Sequence, residues 1–92
     1  LGIIGLGKIG TEVAGRTQAF GMHIIAYDPF ISAEKADKLG IRLETFENVF
    51  KKADYITVHL PLTSDTKHII NDKEFGLMKQ GARIINCARG GI

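Results

Sequence analysis

The sequence has little of what marks several large classes of protein. Its single cysteine, Cys87, excludes a disulfide within the chain and favours a reducing compartment such as the cytoplasm. No apolar run approaches the length of about 18 residues that a membrane-spanning helix needs. The net charge is only +2 and the basic residues are scattered, so neither nucleic acid nor a membrane surface is expected as a partner.

Metal-binding and nucleophilic residues are also scarce. His23 and His68 have no cysteine or acidic partner at metal-ligand spacing, so no metal site is predicted. Cys87 has no activating base near it in the sequence and is expected to pack as a small side chain. Neither end of the 92-residue sequence resembles a natural terminus, so we expect one truncated domain from a longer protein.

Apolar runs alternate with helical patterns along the whole chain. The runs predict five strands, over 1–4, 23–27, 41–43, 55–60 and 83–87. The intervening patterns predict four helices, over 8–20, 33–39, 46–53 and 72–79. This alternation predicts an α/β fold, a Rossmann-like doubly wound parallel sheet with strand order 3-2-1-4-5.

Local signals set the helix starts and the exposed edge. Ser32 and Thr45 are predicted N-caps, and Asn71 is expected to form a capping-box variant with the glutamate three residues later. The first helix is expected to bury Ile9, Val13 and Phe20 on one face. The fifth strand would form an open edge of the sheet with Ile84 and Ile85 poorly covered, which favours a homodimer.

A glycine-rich turn joins the first strand to the first helix, with the sequence Gly5-Leu6-Gly7-Lys8-Ile9-Gly10. The first glycine permits a tight turn, the second lets backbone N–H groups approach a pyrophosphate, and the third lets helix and strand pack closely. The helix N-terminus then presents unpaired N–H donors to the phosphates. The pattern is weak alone and gains weight from the flanking strand and amphipathic helix.

Asp28 ends the second strand, near the spacing of about 20 residues expected for the acid that binds the adenosine ribose. A carboxylate there favours NAD over NADP, since it repels a 2′-phosphate. Pro29 and Phe30 follow it, and no arginine follows immediately. The competing interpretation is an ordinary strand-to-helix turn and a turn aspartate before proline.

The fourth and fifth predicted strands end in further candidate residues. Ligands of doubly wound sheets bind beyond the carboxyl ends of the strands, where His59 and Arg89 would lie. Arg89 has the geometry to clamp a carboxylate with two hydrogen bonds. The simpler alternatives are a solvated loop arginine and a structural histidine at a strand end. Thr66 is by default a turn residue.

Five motifs in order then resemble the D-isomer-specific 2-hydroxyacid dehydrogenases over essentially the whole chain. They are the glycine turn, Phe20-Gly21-Met22, Ala26-Tyr27-Asp28-Pro29, Val58-His59-Leu60-Pro61-Leu62 with Thr66, and Asn86-Cys87-Ala88-Arg89-Gly90-Gly91. The last motif is most similar to members that oxidise 3-phosphoglycerate. The resemblance implies an NAD-binding domain that lacks its last strands and its substrate domain.

The resemblance also implies a role for particular positions. Lys8 and Ile9, with Gly5, Gly7 and Gly10, fall where the family binds the pyrophosphate. Asp28 falls where it binds the adenosine ribose. The adenine and ribose side would be lined by Leu60 and Pro61, with Thr66 nearby.

The implied nicotinamide half lies at the end of the fifth strand. Cys87 and Ala88 fall against the nicotinamide, and Arg89 matches the catalytic arginine that holds the substrate's carboxylate and carbonyl oxygen. A histidine oriented by a glutamate handles the proton in this family, and both are expected beyond Ile92. The chain alone is therefore expected to bind dinucleotide weakly and to turn over no substrate.

Several functions remain open from the sequence. The parent protein could act on 3-phosphoglycerate or on another D-2-hydroxy acid such as glycerate, glyoxylate or lactate. It could instead be a non-catalytic, NAD-sensing corepressor-like member of the superfamily. The chain could also be an isolated piece with no function of its own.

Overall fold

A computed structural model describes residues 1–60 and 69–86, and these contain five strands and four helices. The strands are β1 (Gly2–Ile4), β2 (Ile25–Tyr27), β3 (Arg42–Leu43), β4 (Tyr55–Val58) and β5 (Arg83–Asn86). The helices are α1 (Lys8–Gln18), α2 (Ala33–Lys38), α3 (Phe46–Lys52) and α4 (Asp72–Leu77). The predicted alternation of strands and helices is confirmed, and where the described residues test them the predicted bounds agree to within two residues.

The strands form one parallel sheet with the order β3-β2-β1-β4-β5. Gly2 is in register with Ile25 of β2 on one side and with Ile56 of β4 on the other. The predicted order and fold class are therefore confirmed. The strands that follow β1 are added on one side of it, as β2 and β3, and then on the other side, as β4 and β5. In sheets of this kind, ligands bind in the crevice at the carboxyl ends of the two strands where the order switches, here β1 and β4.

The hydrophobic core is divided between the two faces of the sheet, because successive strand residues point to opposite sides. We call the first set the α1 cluster, which consists of Ile3, Leu6, Ala14, Ile24, Ala26 and Ile41. We call the second set the α3 cluster, which consists of Ile4, Val49, Phe50, Ala53, Ile56 and Val58. The sheet is thus covered on both faces, as a parallel sheet requires.

The predicted helix caps are all present. The Ser32 hydroxyl accepts from the N–H of Lys35 at 3.1 Å, and the Thr45 hydroxyl accepts from the N–H of Asn48 at the same distance. Asn71 and Glu74 form the capping box, in which the Asn71 N–H donates to Glu74 Oε1 at 3.1 Å. Side chains at these helix starts satisfy N–H groups that the helix itself leaves unpaired.

The predicted buried face of α1 is wrong in two of its three positions. Ile9 is 66% exposed and Phe20 is 87% exposed, whereas Gly10 and Ala14 are buried. The helix lies so close to the sheet that only small side chains fit at the contact, and α1 ends before Phe20. Apolar periodicity alone therefore selected the wrong face.

Among the strands that the structure describes, β5 is the last of the sheet, as predicted. Ile84 packs partly against the α3 cluster, while Ile85 on the opposite face is 49% exposed. Tyr55, on the neighbouring strand β4, is 45% exposed. In the parts of the chain described above, no helix is long and apolar enough to cross a membrane.

Candidate functional site

The glycine turn connects the carboxyl end of β1 to the start of α1. Gly5 has a φ of 100°, a left-handed conformation that L side chains rarely adopt, and its N–H donates to the carbonyl of Tyr27 at 2.9 Å. Gly7 is the N-cap of α1 and has open space where a side chain would stand. Within residues 1–60 and 69–86, no side chain caps the first turn of α1. Its N–H groups are therefore directed to the solvent side of the turn, where an anion can bind.

Gly10 sets the distance between α1 and the turn. A Cβ built at Gly10 would overlap the carbonyl oxygen of Gly5. The third glycine of the motif thus serves close packing, as the sequence predicted. Thr11 reinforces the same contact, since its hydroxyl donates to the carbonyl of Leu6 at 3.1 Å.

The Asp28 carboxylate is bound directly to the glycine turn. The N–H of Leu6 donates to Asp28 Oδ2 at 2.7 Å, and the N–H of Phe30 donates to Asp28 Oδ1 at 2.8 Å. A carboxylate has about four lone-pair positions, so about two remain for other donors. Vicinal ribose hydroxyls are donors of this kind, and the side chain is fixed in place to receive them.

A cavity of about 840 Å³ opens between the glycine turn and the ends of β2 and β4. Its lining consists of Gly5, Leu6, Gly7, Tyr27, Asp28, Pro29, Phe30, Ile31, Ser32, Lys35, His59, Leu60 and Ile69. Mostly apolar walls with a few polar groups are typical of nucleotide and cofactor pockets. The uncapped amides, the cradle formed at Gly7 and the spare acceptor positions of Asp28 together fit the adenosine and phosphates of a dinucleotide.

His59 lies at the carboxyl end of β4, against the turn. Its backbone N–H donates to the carbonyl of Ile4 at 2.8 Å, and a Cβ at Gly5 would lie 3.0 Å from the His59 carbonyl. Its ring Nε2 is hydrogen-bonded to the buried Thr57 hydroxyl at 2.8 Å. Burial lowers the pKa of His59 below its usual value, which favours the neutral ring at neutral pH.

The predicted site residues divide into three groups. Gly5, Gly7, Asp28 and Leu60 line the cavity, and Gly10 lies behind it. Lys8 and Ile9 begin α1 and are exposed, with their N–H groups in the uncapped first turn. The remaining predicted residues lie outside the described part of the chain: Pro61, Thr66, Cys87, Ala88 and Arg89.

Sequence reasoning missed several further residues of the cavity, among them Phe30, Ile31, Lys35 and Ile69. Phe30, Ile31 and Lys35 follow Asp28, and Ile69 precedes α4. For Phe30, Ile31 and Lys35, the one signal in the sequence is that they follow Asp28 closely. Nothing in the local sequence signals Ile69, because it reaches the cavity only through the tertiary fold. Among residues 1–60 and 69–86, no three histidine, cysteine or acidic residues are grouped so that they could hold a metal ion.

Comparison with known families gives a match over residues 1–92 to the NAD binding domain of the D-isomer specific 2-hydroxyacid dehydrogenases. The chain belongs to this family. The resemblance stated from the sequence motifs is therefore confirmed, and the cofactor of this domain is NAD.

The family's members include close relatives of the chain. A D-3-phosphoglycerate dehydrogenase of Bacillus subtilis (strain 168) is 53% identical over 92 residues, which cover 100% of this chain and 18% of that protein. The chain thus spans less than a fifth of the length of this relative.

Solved structures of the family share the fold. A D-lactate dehydrogenase of Salmonella is 39% identical with a TM-score of 0.91, and the match covers 98% of this chain and 27% of that one. The NAD-complexed D-isomer specific 2-hydroxyacid dehydrogenase of Lactobacillus delbrueckii ssp. bulgaricus is 39% identical with a TM-score of 0.90, at the same coverage.

Proposed function

We propose that this domain binds NAD for a dehydrogenase that oxidises 3-phosphoglycerate to 3-phosphohydroxypyruvate in serine biosynthesis. The observation that supports the binding site is the 2.7 Å hydrogen bond from the Leu6 N–H to Asp28, since it holds the Asp28 carboxylate beside the uncapped first turn of α1. The substrate is supported by the relative at 53% identity and by the motif over residues 86–91, near the end of the sequence.

The proposed roles of the chain's own residues follow from the site. The amides of Gly7, Lys8 and Ile9 bind the pyrophosphate, and Asp28 accepts hydrogen bonds from the adenosine ribose. We propose that Leu60 and Pro61, with Thr66, contact the adenine and ribose side of the cofactor. In this proposal backbone N–H groups bind the phosphates and a carboxylate binds the ribose. Because the carboxylate repels a 2′-phosphate, the site favours NAD over NADP.

The proposed catalytic half uses residues that follow β5. We propose that Cys87 and Ala88 contact the nicotinamide and that Arg89 binds the carboxylate and carbonyl oxygen of the substrate. When bound, the nicotinamide ring supplies the hydride acceptor for C2 of the 2-hydroxy acid. A glutamate-oriented histidine for proton transfer and a substrate domain are proposed to belong to the rest of the protein, so we expect no turnover by the 92 residues alone.

The ribose assignment is tested by Asp28→Ala. We expect NAD binding to weaken by about tenfold or more, since hydrogen bonds to a charged group contribute about 1.5–3 kcal/mol, while NADP is affected less. Calorimetric titration of the variant with both dinucleotides measures the two changes. Asp54→Ala is the matched control, because the Asp54 side chain is 74% exposed, forms an ion pair with Lys79 and does not line the cavity. Equal losses for NAD and NADP would show that Asp28 does not bind the ribose.

Another D-2-hydroxyacid substrate is the second candidate. The structural match to a D-lactate dehydrogenase at 39% identity favours this alternative. Steady-state oxidation of 3-phosphoglycerate, glycerate and lactate by the full-length protein distinguishes the two. Failure to oxidise any of them, with NAD binding retained, would instead favour a non-catalytic NAD-sensing protein.

We also propose a homodimer in the cytoplasm. The open edge of β5 carries the half-exposed Ile85, and an uncovered strand edge favours pairing between chains. The single cysteine is consistent with a reducing compartment. A monomer in light scattering at high concentration would contradict the dimer, and Ile85→Lys is expected to weaken it.

A further inference from the structure

Two polar or charged side chains are buried in the part of the chain that the structure describes, and the fold explains one of them. Glu74 belongs to the capping box of α4, whereas Thr57 lies within β4 and caps no helix. Thr57 is 6% exposed and stands in register between Ile3 of β1 and Ile85 of β5. Valine would fill this space without burying a hydroxyl, so the presence of the hydroxyl needs a reason.

The Thr57 hydroxyl has one hydrogen-bond partner among the described residues, which is the ring of His59. Residues two apart on a strand point to the same face of the sheet, and Thr57 Oγ1 lies 2.8 Å from His59 Nε2. A neutral histidine ring has one nitrogen that donates and one that accepts, so the bond can run in either direction. The surroundings of the hydroxyl decide between the two directions.

Burial of the hydroxyl favours the direction from Thr57 to His59. If Nε2 carried the proton, it would donate to the Thr57 oxygen, and the hydroxyl proton would be left inside the sheet without an acceptor. Such an unsatisfied buried donor is costly, whereas a hydroxyl that donates to Nε2 leaves no buried group unsatisfied. The ring proton of His59 then lies on Nδ1. The protonated ring carries the same cost, because both of its nitrogens donate.

The Nδ1–H of this tautomer is available to a ligand. His59 lines the cavity and is partly exposed, and no residue of the described chain accepts from its Nδ1. The two ring nitrogens point in divergent directions, so Nδ1 is directed away from Thr57. The titratable groups that line the cavity with His59 are Tyr27 and Asp28 at the end of β2 and Lys35 on α2, and the cavity-lining part of the glycine turn has none. Burial, rather than any of these groups, lowers the pKa of His59.

We propose that Thr57 is a positioning residue, whose buried hydroxyl holds the His59 ring in the Nδ1–H tautomer and so presents a fixed donor to an oxygen atom of the bound dinucleotide. Thr57 does not line the cavity, so it acts through His59. The donor role rests on the proposed function, because it needs the dinucleotide in the cavity. The tautomer does not, because it is set by the fold of the chain without ligand.

The first test is ¹⁵N NMR of the histidine rings in the chain without ligand. The sequence has three histidines, and His59→Gln identifies the signals of His59. We expect the neutral His59 ring to carry its proton on Nδ1. In Thr57→Val the two tautomers should both be populated, and the pKa of His59 should rise, because the hydroxyl that favours the neutral ring is absent.

Two further variants serve as controls for the ring measurements. Thr57→Ser keeps the hydroxyl and should restore both the tautomer and the pKa. Thr17→Val should change neither, because the Thr17 hydroxyl bonds to the carbonyls of Val13 and Ala14 within α1. A His59 ring protonated on Nε2 in the original chain, or a pKa that falls or stays unchanged in T57V, would overturn the inference.

The second test is calorimetric titration with NAD at a pH where His59 is neutral. We expect T57V to weaken NAD by about twofold, since about half of the molecules then lack the proton on Nδ1, while T57S and T17V keep the original affinity. NAD should also shift the Nδ1 signal of His59. An unchanged affinity in T57V, or an unmoved Nδ1 signal at saturating NAD, would overturn the donor role. A chain that binds no NAD would refute the proposed function and the donor role together, whereas the ring spectra decide the tautomer separately.

Discussion

The two faces of the sheet are packed with side chains of different size. On the α1 face, Gly10 and Ala14 make the helix contact, so backbone approaches backbone. On the α3 face, Val49 and Phe50 fill the space, and both are fully buried. The difference indicates that the two faces have different roles. The α1 face brings backbone amides close to the strand ends, and the α3 face buries the larger apolar side chains.

The bulky face also supports the site from behind. Phe46 makes edge-to-face contacts with Phe50 at 5.0 Å and with Tyr27 at 5.3 Å between ring centroids. Tyr27 directly precedes Asp28, so this aromatic row extends from the α3 cluster to the end of β2. We therefore expect changes on the two faces to be separable, one acting on stability and the other on binding.

Phe50→Ala is expected to have the largest effect on stability. Truncation of a buried phenylalanine costs about 3–5 kcal/mol, which is a large fraction of the total for a domain of this size. Urea unfolding measures the loss, and Phe20→Ala, at an exposed position, should change stability by less than about 0.5 kcal/mol. Equal effects of the two variants would contradict the assignment of Phe50 to the core.

Gly10→Ala is expected to disturb the packing of α1 against the glycine turn. The added methyl overlaps the Gly5 carbonyl oxygen, so the turn must move, at a cost of about 1–3 kcal/mol and with loss of NAD binding. Gly15→Ala is the matched control, because Gly15 is exposed on α1 and has open space at its Cβ.

The control should keep NAD affinity and raise stability by about 0.5–1 kcal/mol, since alanine is a better helix former than glycine. Calorimetric titration with NAD and urea unfolding of both variants measure these changes. NAD binding by G10A equal to that of G15A would show that close packing at Gly10 does not set the phosphate site.

The smallest expected effect is a pH dependence at Glu44, which joins β3 to α3. The hydrogen bond from Lys52 Nζ to Glu44, at 2.9 Å, is the main cause that holds its pKa below the usual 4.5. The lowered pKa contributes stability that is present above the unfolded value and is lost as the pH falls through the folded value. Melting temperatures between pH 6 and pH 3 should therefore fall less steeply for Glu44→Gln. Identical slopes would contradict this contribution.

Much of the fold could be predicted because its signals are local. Strand runs, caps such as Ser32 and Thr45, and the glycine turn each depend on residues close in sequence. The strand order followed from the handedness of crossovers. The exposure of Ile9 could not be predicted, since it depends on how closely α1 approaches the sheet.

The sequence predicted a dinucleotide site but not the hydrogen bonds and packing contacts that join its residues. Asp28 was selected from its spacing, yet its bond to the Leu6 N–H joins residues from two different strand ends. Ile69 is distant in sequence from the glycine turn and from Asp28, and it lines the cavity because it packs against the α3 cluster. Such contacts depend on tertiary packing and leave no periodic signal in the sequence.

The most direct test of the phosphate and ribose site is a titration of the ¹⁵N-labelled chain with NAD, followed by amide NMR spectra. We expect the largest shifts at the uncapped amides of Gly7, Lys8 and Ile9 and at the Phe30 N–H, which shares Asp28 with the ribose. The amide of Tyr55, at the amino end of β4, should not move. Shifts concentrated near Tyr55, with the α1 amides unchanged, would contradict the site.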